Sequence, residues 1–378
     1  MDSSQKLTNT DVKKLNKNRI FRLIYNSDKI SRQEIADQLG LSLPTVNQNL
    51  KMLMEDGLIE YVGNFTSTGG RRAQAITINN NARKAISVNI KADYINVDVV
   101  GLKGQIIYSM AVKAHFSKSS AYIEKLTDAV RHAVDYVGAD ADDILGVGIT
   151  VPGILDDEKQ ILISAPPLKA KNYDFTKLIS AIDYPVVVMN DARAEAYADH
   201  WFNGKPEDEK IYIMLGEGVG GAYINASAIR NGVHNRGGEF GHMVIHPGGK
   251  QCLCGKKGCF EAYVSEKVLS SELDMTLDNF FELVAQGNKN NSNVLDEYMD
   301  NLALGINNIY TMMDCDIVLG GTVAPYLKQY DNSIKERLVN DYSFDTDADY
   351  LRISDGGGRK SGLGAALSFV ARFIDGVE

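Results

Sequence analysis

Gly238-Glu239-Phe240-Gly241-His242, followed ten residues on by Cys252-Leu253-Cys254-Gly255-Lys256-Lys257-Gly258-Cys259-Phe260-Glu261, decides the reading of this 378-residue chain. Three of its four cysteines fall in the second stretch; the fourth is Cys315. His242, Cys252, Cys254 and Cys259 form H-x9-C-x-C-x4-C. Three soft thiolates and one imidazole suit tetrahedral zinc, and the interspersed glycines let a short loop wrap an ion. Four protein ligands leave no open position, so a structural Zn2+ is expected rather than a hydrolytic one. Reduced structural cysteines and a redox cluster are the competing readings, and His246 is a rival fourth ligand.

On both sides of this loop the chain alternates strands, helices and glycine-rich turns. Strand-like runs at 84–90, 94–100 and 105–111 come first. The run 145–149 leads into Val151-Pro152-Gly153, and 185–189 ends at Asn190-Asp191 before a helical stretch at 192–202. Runs at 211–215 and 222–224 flank the glycine loop 216–221. Another run, 316–319, meets Gly320-Gly321, and glycines at 356–364 precede a final helix. Strands with glycines at their ends, alternating with helices, predict an α/β body of two lobes over residues 82–378. Ligands in such folds sit at the carboxyl ends of strands.

Residues 1–80 read differently. Thr10 is placed to cap a helix running to about Asn26, with Leu15, Ile20, Leu23 and Ile24 on one face. Ser31-Arg32-Gln33-Glu34 is a capping box that starts a second helix ending at Leu39. After the turn at Gly40, Ser42 caps a third helix, with Pro44 in its first turn and Val46, Leu50 and Leu53 inward. A short helix, a glycine turn and another helix make a helix-turn-helix. The third helix then offers Ser42, Thr45, Asn47, Gln48, Asn49 and Lys51 to DNA: the amides suit adenine edges, the hydroxyls and ammonium suit phosphate. Two strand-like runs, 58–62 and 75–78, enclose Gly69-Gly70-Arg71-Arg72 and read as a wing. Gly70, Arg71 and Arg72 would reach a narrow, A/T-rich minor groove. The competing reading of this head is a small helical dimerisation domain.

Charge agrees with the division. The head holds 11 Lys/Arg against 8 Asp/Glu, net +3, and the remainder is net −12 within an overall −9. A basic head on an acidic body fits nucleic-acid contact confined to the head. No apolar run approaches the roughly 20 residues that cross a bilayer, and the first residues lack the apolar core of a secretory signal. A cytoplasmic protein with no membrane partner is the expectation.

The chain resembles the ROK family, which joins bacterial sugar kinases and sugar-sensing repressors, from the head through the glutamate, histidine and cysteine stretch quoted above. The resemblance implies a two-lobed, actin-like (ribonuclease-H-like) sugar-kinase body behind a winged helix-turn-helix. It favours His242 over His246 as the fourth metal ligand. It implies a monosaccharide site at Asn190, Asp191, Glu239, His242 and Glu261, with His242 facing zinc through one ring nitrogen and sugar through the other, and Gly153 letting backbone approach the ligand. A surface charge is the plain alternative for any one of the carboxylates.

Asp191 matches the position of the catalytic base in the family's kinases. Phosphoryl transfer also needs the nucleotide phosphates to be held. Where those kinases carry Asp-x-Gly-Gly-Thr, this chain has Asn89-Ile90-Lys91-Ala92-Asp93. Both glycines and the leading carboxylate are gone, and Glu217 stands in the second phosphate loop. A sugar-responsive repressor that does not phosphorylate its ligand is therefore expected, with an ATP-dependent sugar kinase bearing a DNA-binding head as the alternative. A homodimer, or a tetramer, would read an inverted-repeat operator. Glucose-like aldohexoses, N-acetylhexosamines and xylose are the candidate effectors.

Overall fold

Ser31 and Glu34 cap each other: the Ser31 hydroxyl accepts from the Glu34 amide at 3.3 Å, and the Glu34 carboxylate accepts from the Ser31 amide at 2.7 Å. Helix α2 (Arg32–Leu39) starts there, as the capping box predicts. In this computed structural model, which describes residues 8–65, 73–205, 207–226, 228–356 and 362–377, α1 (Asn9–Tyr25) is capped by Thr8 rather than Thr10. Thr8 has a carboxylate three residues on, Asp11, and the two bond reciprocally; Thr10 has Lys13 there. The inward face of α1 is also displaced from expectation. Lys17, Ile20, Phe21 and Ile24 are buried while Leu15 is 49% exposed, and the Lys17 ammonium finds Asp56 at 2.9 Å.

Helix α3 (Leu43–Glu55) is capped by Ser42 and buries Val46, Asn49, Leu50 and Leu53. Strands β1 (Ile59–Asn64) and β2 (Gln74–Ile78) pair antiparallel. The Phe65 amide donates to the Ala73 carbonyl at 2.9 Å, closing the base of the wing. Gly70, Arg71 and Arg72 lie outside the described residues.

The body follows in two lobes. The first comprises β3 (Lys84–Ile90), β4 (Tyr94–Gly101), β5 (Ile106–Lys113), α4 (Ser120–Tyr136), β6 (Ile144–Val151), β7 (Ile154–Asp156), β8 (Ile161–Ala165), β9 (Ala170–Asp174), α5 (Thr176–Ile179) and β10 (Val186–Asn190). Its main sheet runs β5-β4-β3-β6-β10, with β6 and β10 parallel to the central β3. After α6 (Asp191–Asn203), the second lobe comprises β11 (Glu209–Leu215), β12 (Val219–Asn225), β13 (Ala228–Ile229), α7 (Glu261–Val264), α8 (Leu277–Ala285), α9 (Lys289–Met313), β14 (Asp316–Gly320), α10 (Ala324–Leu327), α11 (Asp331–Arg337) and β15 (Leu351–Ile353). Its sheet, β13-β12-β11-β14-β15, repeats the first lobe's strand order and directions. This is the two-lobed α/β body that the sequence predicts, in the actin-like arrangement that the family resemblance implies. The small antiparallel sheet β7-β8-β9 was not predicted.

Two helices cross between the lobes. Helix α6 leaves β10 and packs on β11 and β12 of the other lobe. Helix α12 (Leu363–Asp375) closes the chain and packs back on β3 and β6, and against α6. The head is part of the same packing. Ile20, Phe21, Ile24 and Ile78 share a buried cluster with Ala85, Leu102, Ala198, Val370 and Ile374 of the body. Tyr25 donates its hydroxyl to the Leu102 carbonyl at 2.7 Å and meets Trp201 edge-on, with ring centroids 6.1 Å apart. Among the described residues no helix is long and apolar enough to cross a membrane.

Candidate functional site

The carboxyl ends of β6 and β10, the start of α6, the β11–β12 turn and the 237–267 region enclose a cleft of about 490 Å3. Asn190 caps α6: its side-chain oxygen accepts from the Arg193 amide at 3.0 Å, and its amide group donates to the Gly153 carbonyl at 2.9 Å. Gly153 has φ +100°, and a Cβ there would lie 2.3 Å from the Ser164 carbonyl. The glycine is thus required by the close approach of β8, and its own carbonyl turns to Asn190. The Gly153 carbonyl supports Asn190, and the residue lines the cleft, where its backbone can approach a ligand.

Asp191 opens α6 and is 5% exposed. Burial raises its pKa, opposed by the Lys91 ammonium 3.7 Å away. One turn on, Glu195 is buried beneath the cleft, accepting from the Tyr212 hydroxyl at 3.0 Å and the Gly321 amide at 2.8 Å. Burial pushes its pKa up to about 7. Glu239 precedes a short turn of 3-10 helix that carries His242, and its carboxylate lies 3.8 Å from His242 Nε2. Burial raises the Glu239 pKa as well. Glu261 accepts from the Val219 amide at 3.0 Å, which ties the glycine loop between β11 and β12 to the cysteine loop. A Cβ at Gly218 would come 2.8 Å from that same carboxylate.

His242, Cys252, Cys254 and Cys259 bring one ligand atom each to within 4.8 Å of one another. His242 Nδ1 is 3.7 Å from Cys252 Sγ, and the Cys254 and Cys259 sulfurs are 3.7 Å apart. A tetrahedron with Zn–S bonds of about 2.3 Å has edges of about 3.8 Å, so the donor set fits a metal ion of that size. His246 points elsewhere: its Nε2 meets the Asn301 side-chain oxygen at 2.6 Å. The two ring nitrogens of His242 therefore face in different directions, Nδ1 to the cysteines and Nε2 to Glu239 and the cleft.

In the head, Asn47, Gln48 and Lys51 are exposed on α3, with Ser42 and Thr45 at its start. Asn49 is not available to a base edge. It is 5% exposed and its amide donates to the Thr45 carbonyl at 2.8 Å, because positions 46, 49, 50 and 53 share the inward face. Arg32 was missed by sequence reasoning. It stacks over Tyr61 and bonds the Gln74 side chain at 2.6 Å, joining α2 to both wing strands. Lys91, Arg193 and Glu195, all lining the cleft, were likewise not assigned roles. A cation and a carboxylate at helix positions 193 and 195 read from sequence as solvated charges.

A model of the ROK family matches residues 85–370, and a winged helix-turn-helix DNA-binding model matches residues 15–60. The chain belongs to the ROK family. Among ROK relatives, the xylose repressor of Bacillus subtilis (strain 168) is 29% identical over 319 residues, 82% of each chain. The N-acetylglucosamine repressor of Escherichia coli O6:H1 is 25% identical over 264 residues, 69% of this chain and 65% of the relative. A solved ROK family transcriptional regulator, described as a homologue of the E. coli MLC protein, superposes with a TM-score of 0.73 at 20% identity over 97% of this chain and all of that one. A ROK glucokinase from Streptomyces griseus, solved with glucose and AMPPNP, matches 75% of this chain and 98% of its own at 25% identity and a TM-score of 0.62. The head is thus shared in extent with the regulator, and the body with regulator and kinase alike.

Proposed function

We propose that this ROK protein is a sugar-responsive transcriptional repressor that binds a monosaccharide in the interlobe cleft and does not phosphorylate it. Asn190, Asp191, Glu239, His242 and Glu261 hold the sugar hydroxyls, each of which needs a partner once desolvated. Zinc on His242, Cys252, Cys254 and Cys259 staples the loop that carries these groups and orients His242 through its Nδ1. The exposed side of α3 and the wing read an inverted-repeat operator in a homodimer.

The observation that carries the choice of sensor over kinase is Lys91. Its ammonium stands at the hairpin between β3 and β4, where the family's kinases bind phosphate, and pairs with Asp191. Lys91 and Ala92 stand where those kinases have two glycines, so the backbone of this hairpin cannot cradle phosphate closely. Glu217 adds negative charge across the cleft. For the coupling of sugar to DNA, α6 supplies a continuous element: its first residues line the cleft, and Trp201 in its last turn lies against Tyr25 of the head. Sugar shifts the protein between DNA-binding and released states only by its differential affinity for the two.

The test is a thermal-shift screen with D-xylose, D-glucose and N-acetyl-D-glucosamine, paired with mobility-shift assays on DNA from the gene's own promoter. The expected result is a raised midpoint with one sugar and release of DNA by that sugar. Glu239→Ala is expected to lose both responses. Steady ADP formation from ATP, magnesium and sugar would overturn the non-enzymatic reading.

A further inference from the structure

Arg193, the third residue of α6, is 4% exposed and carries a full charge. Its guanidinium divides its donors between two segments. Nη1 donates to Asp157 Oδ2 at 3.0 Å, and Nη2 donates to the Asn235 carbonyl at 3.0 Å. The Asn231 side-chain amide donates to the same Asp157 oxygen. Asp157 sits in the turn between β7 and β8 of the first lobe. Asn231 and Asn235 belong to the second lobe, in the segment that leaves β13 and runs through Gly237 and Gly238 to Glu239 and His242. The other hydrogen bonds described for this segment stay local: Gly237 donates to Asn231, Asn235 to Gly232, Arg230 to Tyr223 of β12, and Glu239 to Arg236.

We infer that Arg193, Asp157 and Asn231 form a latch across the mouth of the sugar cleft, and that Arg193 is a positioning residue setting where Glu239 stands. The inference rests on the reading of the cleft as a sugar site. Three physical points support it. A planar guanidinium presents donors at fixed angles, so holding Asp157 and the Asn235 carbonyl together fixes their separation in a way a lysine cannot. The bonds are charge-assisted and their guanidinium is buried, which makes them stronger than ion pairs exposed on both sides. Their partners lie in different lobes, so any rotation that opens the cleft at this edge must break them. The segment they hold is four residues from Glu239.

The experiment measures hydrogen exchange of the full-length protein, first without sugar. Arg193→Met is expected to speed exchange of amides in 230–239 by at least about tenfold, the size that follows from losing charge-assisted bonds, while amides of β11 and β14 keep their rates. Asp157→Asn, at a more exposed position, should speed the same amides, and it provides the same reading if Arg193→Met fails to fold. The double variant should be no worse than the stronger single one, since both remove one cluster. Titration with D-xylose, D-glucose and N-acetyl-D-glucosamine should then show weaker binding in both variants, again by about tenfold, and Arg193→Lys should recover protection only in part. Unchanged exchange in 230–239 would overturn the latch. So would wild-type affinity in the variants for a sugar that the wild-type protein binds. If the wild-type protein binds none of the three sugars, the sugar assignment fails, and the exchange measurement still decides the latch.

Discussion

Replacing Glu195 by glutamine should make the protein more stable, and by an amount that grows with pH. The carboxyl is buried under the cleft floor, with one oxygen taking hydrogen bonds from Tyr212 and Gly321. Its pKa rises from an ordinary 4.5 to about 7, chiefly because burial disfavours the anion, and Asp191 nearby adds repulsion. A carboxyl with a raised folded-state pKa stabilises fully below the unfolded value, and that contribution is lost as pH climbs through the folded value. The span from 4.5 to about 7, at about 1.4 kcal/mol per unit, amounts to about 3 kcal/mol. Less than about 1 kcal/mol is lost by pH 5 and nearly all of it by pH 8. Glu195→Gln keeps an oxygen for Tyr212 and Gly321 and removes the titration. Urea denaturation of both proteins at pH 5, 6, 7 and 8 is the assay. The variant should gain about 2 kcal/mol on the wild type between the ends of that range. A gap between the two proteins that stays constant from pH 5 to 8 would refute the reasoning.

Three further outcomes are expected. Stripping metal with a chelator should lower the thermal midpoint and weaken sugar binding together, and Cys259→Ser should do the same without chelator; elemental analysis of the purified protein checks that zinc is the ion lost. Asn49→Ala should cost about 1 kcal/mol of stability, because it removes a buried hydrogen bond, whereas Gln48→Ala should leave urea denaturation within about 0.5 kcal/mol of wild type and weaken operator binding in a mobility-shift titration. Phe21→Ala, in the packing between head and body, should cost about 3–5 kcal/mol; calorimetry should show whether head and body still melt together, as their shared core requires.

Much of this arrangement is legible in the residues. Strands at 84–90, 144–151 and 186–190 announce themselves by apolar runs ending in small or polar residues; the first two are buried on both faces, where there is little room for charge. The capping box at Ser31 is local chemistry and needs no tertiary information. Asn49 shows where residue type misleads. Helical spacing from Val46 and Leu50 places it inward, but an amide beside Asn47 and Gln48 invites a DNA-facing role. Leu15 errs in the opposite sense: it is apolar, yet the stripe of α1 runs through positions 17, 20, 21 and 24, and Lys17 takes the inward place by reaching Asp56. Arg193 and Glu195 were illegible because their partners, Asp157, Asn235, Tyr212 and Gly321, lie 17 to 126 residues away in sequence. No local pattern marks a charge that long-range packing will bury.

The joint between head and body bears on how such regulators can be recombined. Asn18 donates to the Ile374 carbonyl and Arg22 pairs with Asp375, while Phe21 sets its edge against Phe373. Helices α1 and α12 are thus one packing unit, although they lie far apart in the sequence. A chimera that exchanges DNA-reading heads at the single crossing near residue 80 would separate them. The transplanted helix would meet a foreign C-terminal helix, and the hybrid would bind its operator with the sugar signal disconnected. Exchanging α12 along with the head, or keeping α1 and replacing only the residues from α2 through β2, would leave that unit whole.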